Sequence, residues 1–341
     1  MFKIKNLYRN SALLMVVASL LMVGCKSDDK KDEQQSQSTT DVRLQMNWTH
    51  EYSSVGLYAA EKKGHFKKEG LNVELIQGGF VNNQFVNPID ELLAGRADFV
   101  LSDAASILLA RSQGKPVVAV MTVLQRSPAA LISLKGENIA RPQDLVGKTV
   151  SVSPDAQAIY RTLLASQSID PSQVTLVDRT TFGIDPLLNG DVDAIGAWII
   201  NEGVMVTQAG QEANVILYSD YGINNYDFVI TTTEQMIADR PELVQKFVRA
   251  IQQGLDDVLA DPDKAVDLVL EYNSTLDKAD QLEHLRAMVP LIRPPSTQTG
   301  AMQPEVWTFT HQVLVDQGIL STPIDVSAAY NTSFIDEIYG N

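Results

Sequence analysis

Leu92-Leu93-Ala94-Gly95-Arg96-Ala97-Asp98 returns later in the chain as Leu187-Leu188-Asn189-Gly190-Asp191-Val192-Asp193. Each copy leads into a short apolar strand, a helical stretch, a glycine (Gly114, Gly210) and a second apolar run, from Val117 and from Val215. Matched order over about thirty residues predicts two lobes of similar build. Before the first copy, Val42 to Met46 and Leu71 to Ile76 alternate as strands around a helix at Leu57 to Ala60. Before the second, Thr149 to Val152 and Val174 to Val177 flank a helix at Ala156 to Ala165. Strand–helix alternation of this kind predicts an α/β fold with mainly parallel sheets. The last third differs. Pro241 to Leu259, Asp263 to Tyr272, Lys278 to Met288 and Pro304 to Gln317 carry helical spacing and are expected to wrap the first lobe. Residues 41–128 plus 232–341 then form lobe 1 and residues 129–231 lobe 2. The chain would cross between them near Leu124 to Leu134 and near Asp227 to Thr231.

Ligands of open parallel sheets bind beyond the carboxyl ends of the strands. In lobe 1 those ends are Asn47-Trp48 and Ser102-Asp103; in lobe 2 they are Ser153-Pro154-Asp155 and Ala197-Trp198. Asp103 and Trp198 occupy equivalent places in the repeat. A cleft between the lobes would therefore carry two tryptophans suited to a flat ring and the hydrogen-bonding groups Asn47, Asp103 and Glu202. Each residue has a plainer reading: Trp48 and Trp198 as core, Asp103 and Asp155 as helix N-caps, Glu202 as an exposed helix residue.

The N-terminus reads as an export signal. Lys3, Lys5 and Arg9 precede an apolar run from Ala12 to Gly24, short of the about 20 residues that span a bilayer. The run ends at Leu21-Met22-Val23-Gly24-Cys25, which resembles a bacterial lipobox, and implies a lipid on Cys25. Residues 26–40 hold no apolar side chain and read as a disordered tether. Cys25 is the one cysteine of the chain, so no intramolecular disulfide or cysteine metal site is available. Four histidines stand apart without metal-ligand spacing, and neither metal nor cofactor is expected. The net charge of −15 argues against nucleic acid.

Several segments carry a family resemblance. They are Asn47-Trp48, Gly56 to Phe66, Glu69 to Glu74, Gly95 to Phe99, Leu145 to Lys148, Gly190 to Ala194, Glu202-Gly203 and the tyrosine-containing run Asp220 to Phe228. Over about Val42 to Leu270 the chain resembles periplasmic solute-binding proteins related to the fungal pyrimidine synthases of thiamine biosynthesis. The wider superfamily includes nitrate, sulfonate and taurine binders. The resemblance implies a type II periplasmic-binding fold, with two α/β lobes and two hinge crossings around a ligand cleft. It also implies service to an ABC permease and ATPase, ring stacking by aromatics, and acidic recognition of an aminopyrimidine. Its site residues map onto Asn47, Trp48, Glu202, Tyr226 and Asp227. The chain departs from it at Trp198-Ile199-Ile200-Asn201, where the family is richer in aromatics.

Three functions compete. A lipid-anchored monomeric binder of an aminopyrimidine, facing the periplasm or outer surface, needs no covalent chemistry. A synthase-like enzyme would need the relatives' cysteine-rich motif, absent after Cys25. An anion binder would use Arg126 or Arg161, against the repulsion of Asp103, Asp155, Glu202 and Asp227. A flavin or other heteroaromatic stays open, because stacking selects flatness.

Overall fold

The apolar runs assemble into two five-stranded sheets. A computed structural model describes residues 39–81, 84–181, 183–321 and 324–340; the expected signal, the acylation site at Cys25 and nearly all of the tether lie outside them. The first sheet holds β1 (Thr40–Gln45), β2 (Leu71–Ile76), β5 (Phe99–Ser102), β6 (Val117–Thr122) and β12 (Val229–Thr233), in the order β2-β1-β5-β12-β6. The second holds β7 (Ala129–Leu134), β8 (Thr149–Val152), β9 (Thr175–Asp178), β10 (Ala194–Trp198) and β11 (Ala213–Leu217), in the order β11-β7-β10-β8-β9. A small hairpin pairs β3 (Phe80–Val81) with β4 (Gln84–Phe85).

The two sheets have one topology. β1, β2 and β5 run parallel, as do β8, β9 and β10. In each sheet the strand that follows a crossing, β12 or β7, inserts antiparallel between two others. The crossings are consequently shorter than the sequence reading made them, since their second halves are strands. Ala129–Leu134 and Val229–Thr233 are buried on both faces and lack the alternation that marks a strand with one wet face.

Helices α1 (Val55–Lys62) and α2 (His65–Lys68) follow β1, and α3 (Pro88–Leu93) and α4 (Ala104–Ser112) flank β5. In the second lobe α5 (Gln157–Ser166) follows β8, and α6 (Asp185–Leu188) and α7 (Glu202–Gln208) flank β10. The repeated heptapeptide does the same structural work twice. Leu92 and Leu187 are buried. Gly95 and Gly190 leave their helices at φ +69° and +74°, a region costly for residues with a Cβ. Asp98 then accepts the Arg43 backbone N–H (2.8 Å), as Asp193 accepts that of Thr149 (2.7 Å). Each also pairs with a cation of the neighbouring strand, Arg43 or Lys148. The motif thus pins β5 to β1 and β10 to β8, and its aspartates are structural.

The last third is helical: α8 (Glu234–Asp239), α9 (Pro241–Ala260), α10 (Pro262–Tyr272), α11 (Lys278–Ile292), α12 (Pro304–Asp316) and α13 (Ser333–Tyr339). Apolar residues on one face of α9 bury against α1 and the first sheet, with Phe247 stacked on Phe99 at 3.9 Å between centroids. Gly254 allows the close crossing, because a Cβ there would stand 2.3 Å from the Gly56 carbonyl oxygen. α12 reaches both lobes: Trp307 is buried beside Tyr226 and Tyr330, while Phe309 packs on the core of the second lobe. No helix among the described residues is long and apolar enough to cross a membrane.

Candidate functional site

Three adjacent strands bring three of the expected residues to one sheet edge. Gln45 of β1 lies beside Val100 of β5, so Asn47, just past β1, and Asp103, just past β5, stand together. β12 runs the other way and pairs Val229 with Ser102, which puts Asp227, just before it, at the same edge. Two acceptors there are committed to nothing. Oδ1 of Asn47 and Oδ2 of Asp227 are buried with no hydrogen-bond partner among the described residues. Buried acceptors without donors are costly, and a ligand bearing N–H groups would satisfy both. Asp103 caps α4 by accepting the Ser106 N–H at 2.8 Å, as its plainer reading has it, yet it also faces this edge. Burial pushes its carboxyl up, against the opposing α4 N–H groups.

Asp227 has a stronger shift. Burial pushes its carboxyl from 3.8 up to about 6; Ser127 and Asn225 oppose the rise and the Asp103 charge adds to it. Below pH 3.8 the group is protonated whether the chain is folded or not. Between 3.8 and about 6 the folded chain keeps the proton and the unfolded chain releases it. Stability of the empty protein therefore falls as pH rises through that window. Asp227→Asn removes the ionisation. Thermal melts should find the variant equal to wild type near pH 3 and more stable by about 3 kcal/mol near pH 7.5; a difference that does not change with pH would contradict this.

Trp48 directly follows Asn47 past the end of β1, with 42% of its surface exposed. It meets Phe80 edge to face at 6.1 Å, and Phe80 meets Phe85 likewise at 5.6 Å. The hairpin carrying both phenylalanines is held to the Trp48 segment by the Gly78 N–H, which donates to the Trp48 carbonyl, and its own base is closed by the Val86 N–H, which donates to the Gly79 carbonyl. Sequence reasoning missed Phe80 and Phe85. The available signal was a pair of phenylalanines in a Gly-Gly, Asn-Asn setting with no apolar pattern around them.

From the second lobe, Trp198 ends β10 half-buried, at 5.6 Å and a steep angle to Phe228, which packs in the core of the first sheet and so belongs to the first lobe, not to the second as the sequence boundary at 231 had it. Two expectations need correction. Glu202 is not an open acceptor. One carboxylate oxygen holds Arg179 at 2.8 Å and the other accepts the Trp198 backbone N–H at 3.0 Å, with the carboxylate and guanidinium both buried. Arg179 also donates to the carbonyls of Gly196 and Gly183, so it ties β9, β10 and the start of α7 together. Tyr226 does not reach the cleft. Its ring is 1% exposed against Trp307, and its hydroxyl accepts the Gln303 N–H at 2.7 Å.

The lobes also touch across the cleft. Tyr52, stacked on His284, brings its hydroxyl to the Ile200 carbonyl and the Asn201 side chain, and the His284 Nδ1 meets the same carbonyl. At the crossings, Asn224 accepts the Ser127 N–H and donates to the Gln125 carbonyl, which laces the two connecting segments into one hinge.

Residues 51–265 match the family described as NMT1/THI5 like. The chain is 31% identical to the riboflavin-binding protein RibY of Chloroflexus aurantiacus, over 86% of each chain. It is 26% identical to a formylaminopyrimidine-binding protein of Halalkalibacterium halodurans, over 93% of this chain and 97% of that one. Among solved structures, a periplasmic sulfonate-binding protein of Methylobacillus flagellatus superposes with a TM-score of 0.68 at 16% identity, covering 89% of this chain and 94% of its own. The fold is the two-lobed periplasmic-binding fold.

Proposed function

The chain belongs to the NMT1/THI5-like family, and on that premise we propose that it is the exported solute-binding component of an ABC importer and captures a flat, pyrimidine-containing heteroaromatic between its lobes. The observation that carries this reading is the first-lobe edge, where Asn47 and Asp227 each keep a buried acceptor without a partner and the next residue after Asn47 is the half-exposed Trp48. A nitrogen heterocycle supplies both N–H donors and a flat face. Trp48 stacks the ring, Asn47 and Asp227 accept from its polar edge, Asp103 adds negative charge, and Trp198 approaches from the second lobe. Two relatives are named for binding such rings, riboflavin and formylaminopyrimidine.

An anion fits this edge poorly. Arg126 is already bound to Ser219 and Asp220, and Arg161 on α5 meets Gln157, while the edge itself presents carboxyls. No chemical step is assigned: the ligand is held and released unchanged, by hinge motion about the laced crossings. A lipid on Cys25 would keep a monomeric trap beside its permease and ATPase, at high local concentration.

Tryptophan fluorescence tests the reading. Titration with riboflavin or an aminopyrimidine should quench or shift the emission, because Trp48 is solvent-exposed in the empty protein. A response to taurine with none to either ring would overturn it.

A further inference from the structure

We propose that Phe80 and Phe85, turned edge to face beside Trp48, add aromatic contacts at the end of its stacking face and so form a subsite that favours a fused polycyclic ligand over a single pyrimidine; this rests on the ring-binding reading above. Phe80 is 63% exposed and Phe85 52%, on strands of two residues each. A hairpin that short has little stability of its own, so its place must be imposed from outside. The tie is glycine-dependent. A Cβ at Gly78 would stand 2.1 Å from the Met46 carbonyl oxygen, so only glycine lets the hairpin base lie against the end of β1. The aromatics are thereby anchored next to Asn47 and Trp48 instead of trailing into solvent.

The spacing suits fused rings. Trp48, Phe80 and Phe85 follow one another at 6.1 Å and 5.6 Å, each turned edge to face on the next. A ligand of one ring that hydrogen-bonds Asn47 and Asp227 reaches Trp48 and leaves both phenylalanines in water. A tricycle anchored at the same polar edge by its pyrimidine end and stacked on Trp48 is long enough to continue past it and contact the phenylalanines, whose planes turn by 84° and 63° from ring to ring, at an angle and not face on. Exposed aromatics clustered beside a polar anchor mark a ligand surface, whereas single exposed apolar residues elsewhere need no such explanation. The occupant is a ring of the bound solute, because the hairpin base is bonded to the Trp48 carbonyl, one residue from Asn47 with its unpartnered acceptor.

The test compares riboflavin with 4-amino-5-hydroxymethyl-2-methylpyrimidine by calorimetry, in wild type and in a Phe80→Ala/Phe85→Ala variant whose thermal midpoint is checked against wild type. Wild type should bind riboflavin more tightly. The variant should lose about ten- to a hundredfold in riboflavin affinity and keep its affinity for the single ring within about twofold. Equal loss for both ligands, no loss for riboflavin, or a wild-type preference for the single ring overturns the subsite. Failure of wild type to bind either ring overturns the function proposed above instead. Because both side chains stand in solvent, the variant is expected to melt with wild type; Phe80→Leu/Phe85→Leu, which keeps apolar bulk and removes the rings, should show the same selective loss.

Discussion

Trp48→Ala is expected to weaken binding of a flat heteroaromatic by about 2 kcal/mol, some thirtyfold in Kd, and to leave the melting temperature of the empty protein unchanged. The two halves of that expectation have one cause. The ring is 42% exposed, stands outside the buried core and meets Phe80 edge to face, so its removal opens no cavity in the core. What it loses is the face that a ligand would cover, where burial and stacking add. Trp48→Phe keeps a smaller face and should fall between the two. Trp48→Ala should also reduce the ligand-induced fluorescence change to the part contributed by Trp198, since Trp307 is fully buried. Calorimetry and a melt on the same sample decide it. A large fall in stability would mean that Trp48 is core, and unchanged affinity would take it out of the site.

The second large effect falls on stability. Arg179→Met should destabilise the protein by about 3–5 kcal/mol. It strands the Glu202 carboxylate in a buried setting and leaves the carbonyls of Gly183 and Gly196 without their donor. Glu202→Leu alone should cost a comparable amount, because the guanidinium is then the stranded charge. The double variant Arg179→Met/Glu202→Leu should be less damaged than the two single effects added, since replacing both members of a buried pair by apolar groups avoids an uncompensated charge. Urea unfolding of the four proteins measures the coupling. Additive losses would deny that the pair acts as a unit. A Glu202 variant with wild-type stability and lost ligand affinity would return Glu202 to the role of ligand contact.

The heptapeptide repeat made the two-lobed plan legible, because its first leucine, its glycine and its final aspartate meet the same local demands in both sheets. Its glycines close helices, and Asp98 and Asp193 pin neighbouring strands. Strand ends could be placed by the same reasoning, which brought Asn47 and Asp103 to one edge; the run quoted for the family brought Asp227. The antiparallel strands after each crossing were not legible, since a doubly buried strand reads as an apolar connection. Nor were the true partners of Glu202 and Tyr226. Both stand in runs that match the family, yet Arg179 and Gln303 are distant in sequence and claim their polar atoms. Phe80 and Phe85 escaped for the opposite reason: two-residue strands carry no period to detect.

The central claim is that an unmodified flat nitrogen heterocycle sits in the cleft, one per chain. Native mass spectrometry tests it most directly, on the protein mixed with equal amounts of riboflavin, 4-amino-5-hydroxymethyl-2-methylpyrimidine and taurine. The account predicts a single added mass equal to one intact ring compound, much reduced for Trp48→Ala. An added mass of taurine, a chemically altered ring, or equal ring binding by the Trp48→Ala protein would contradict it.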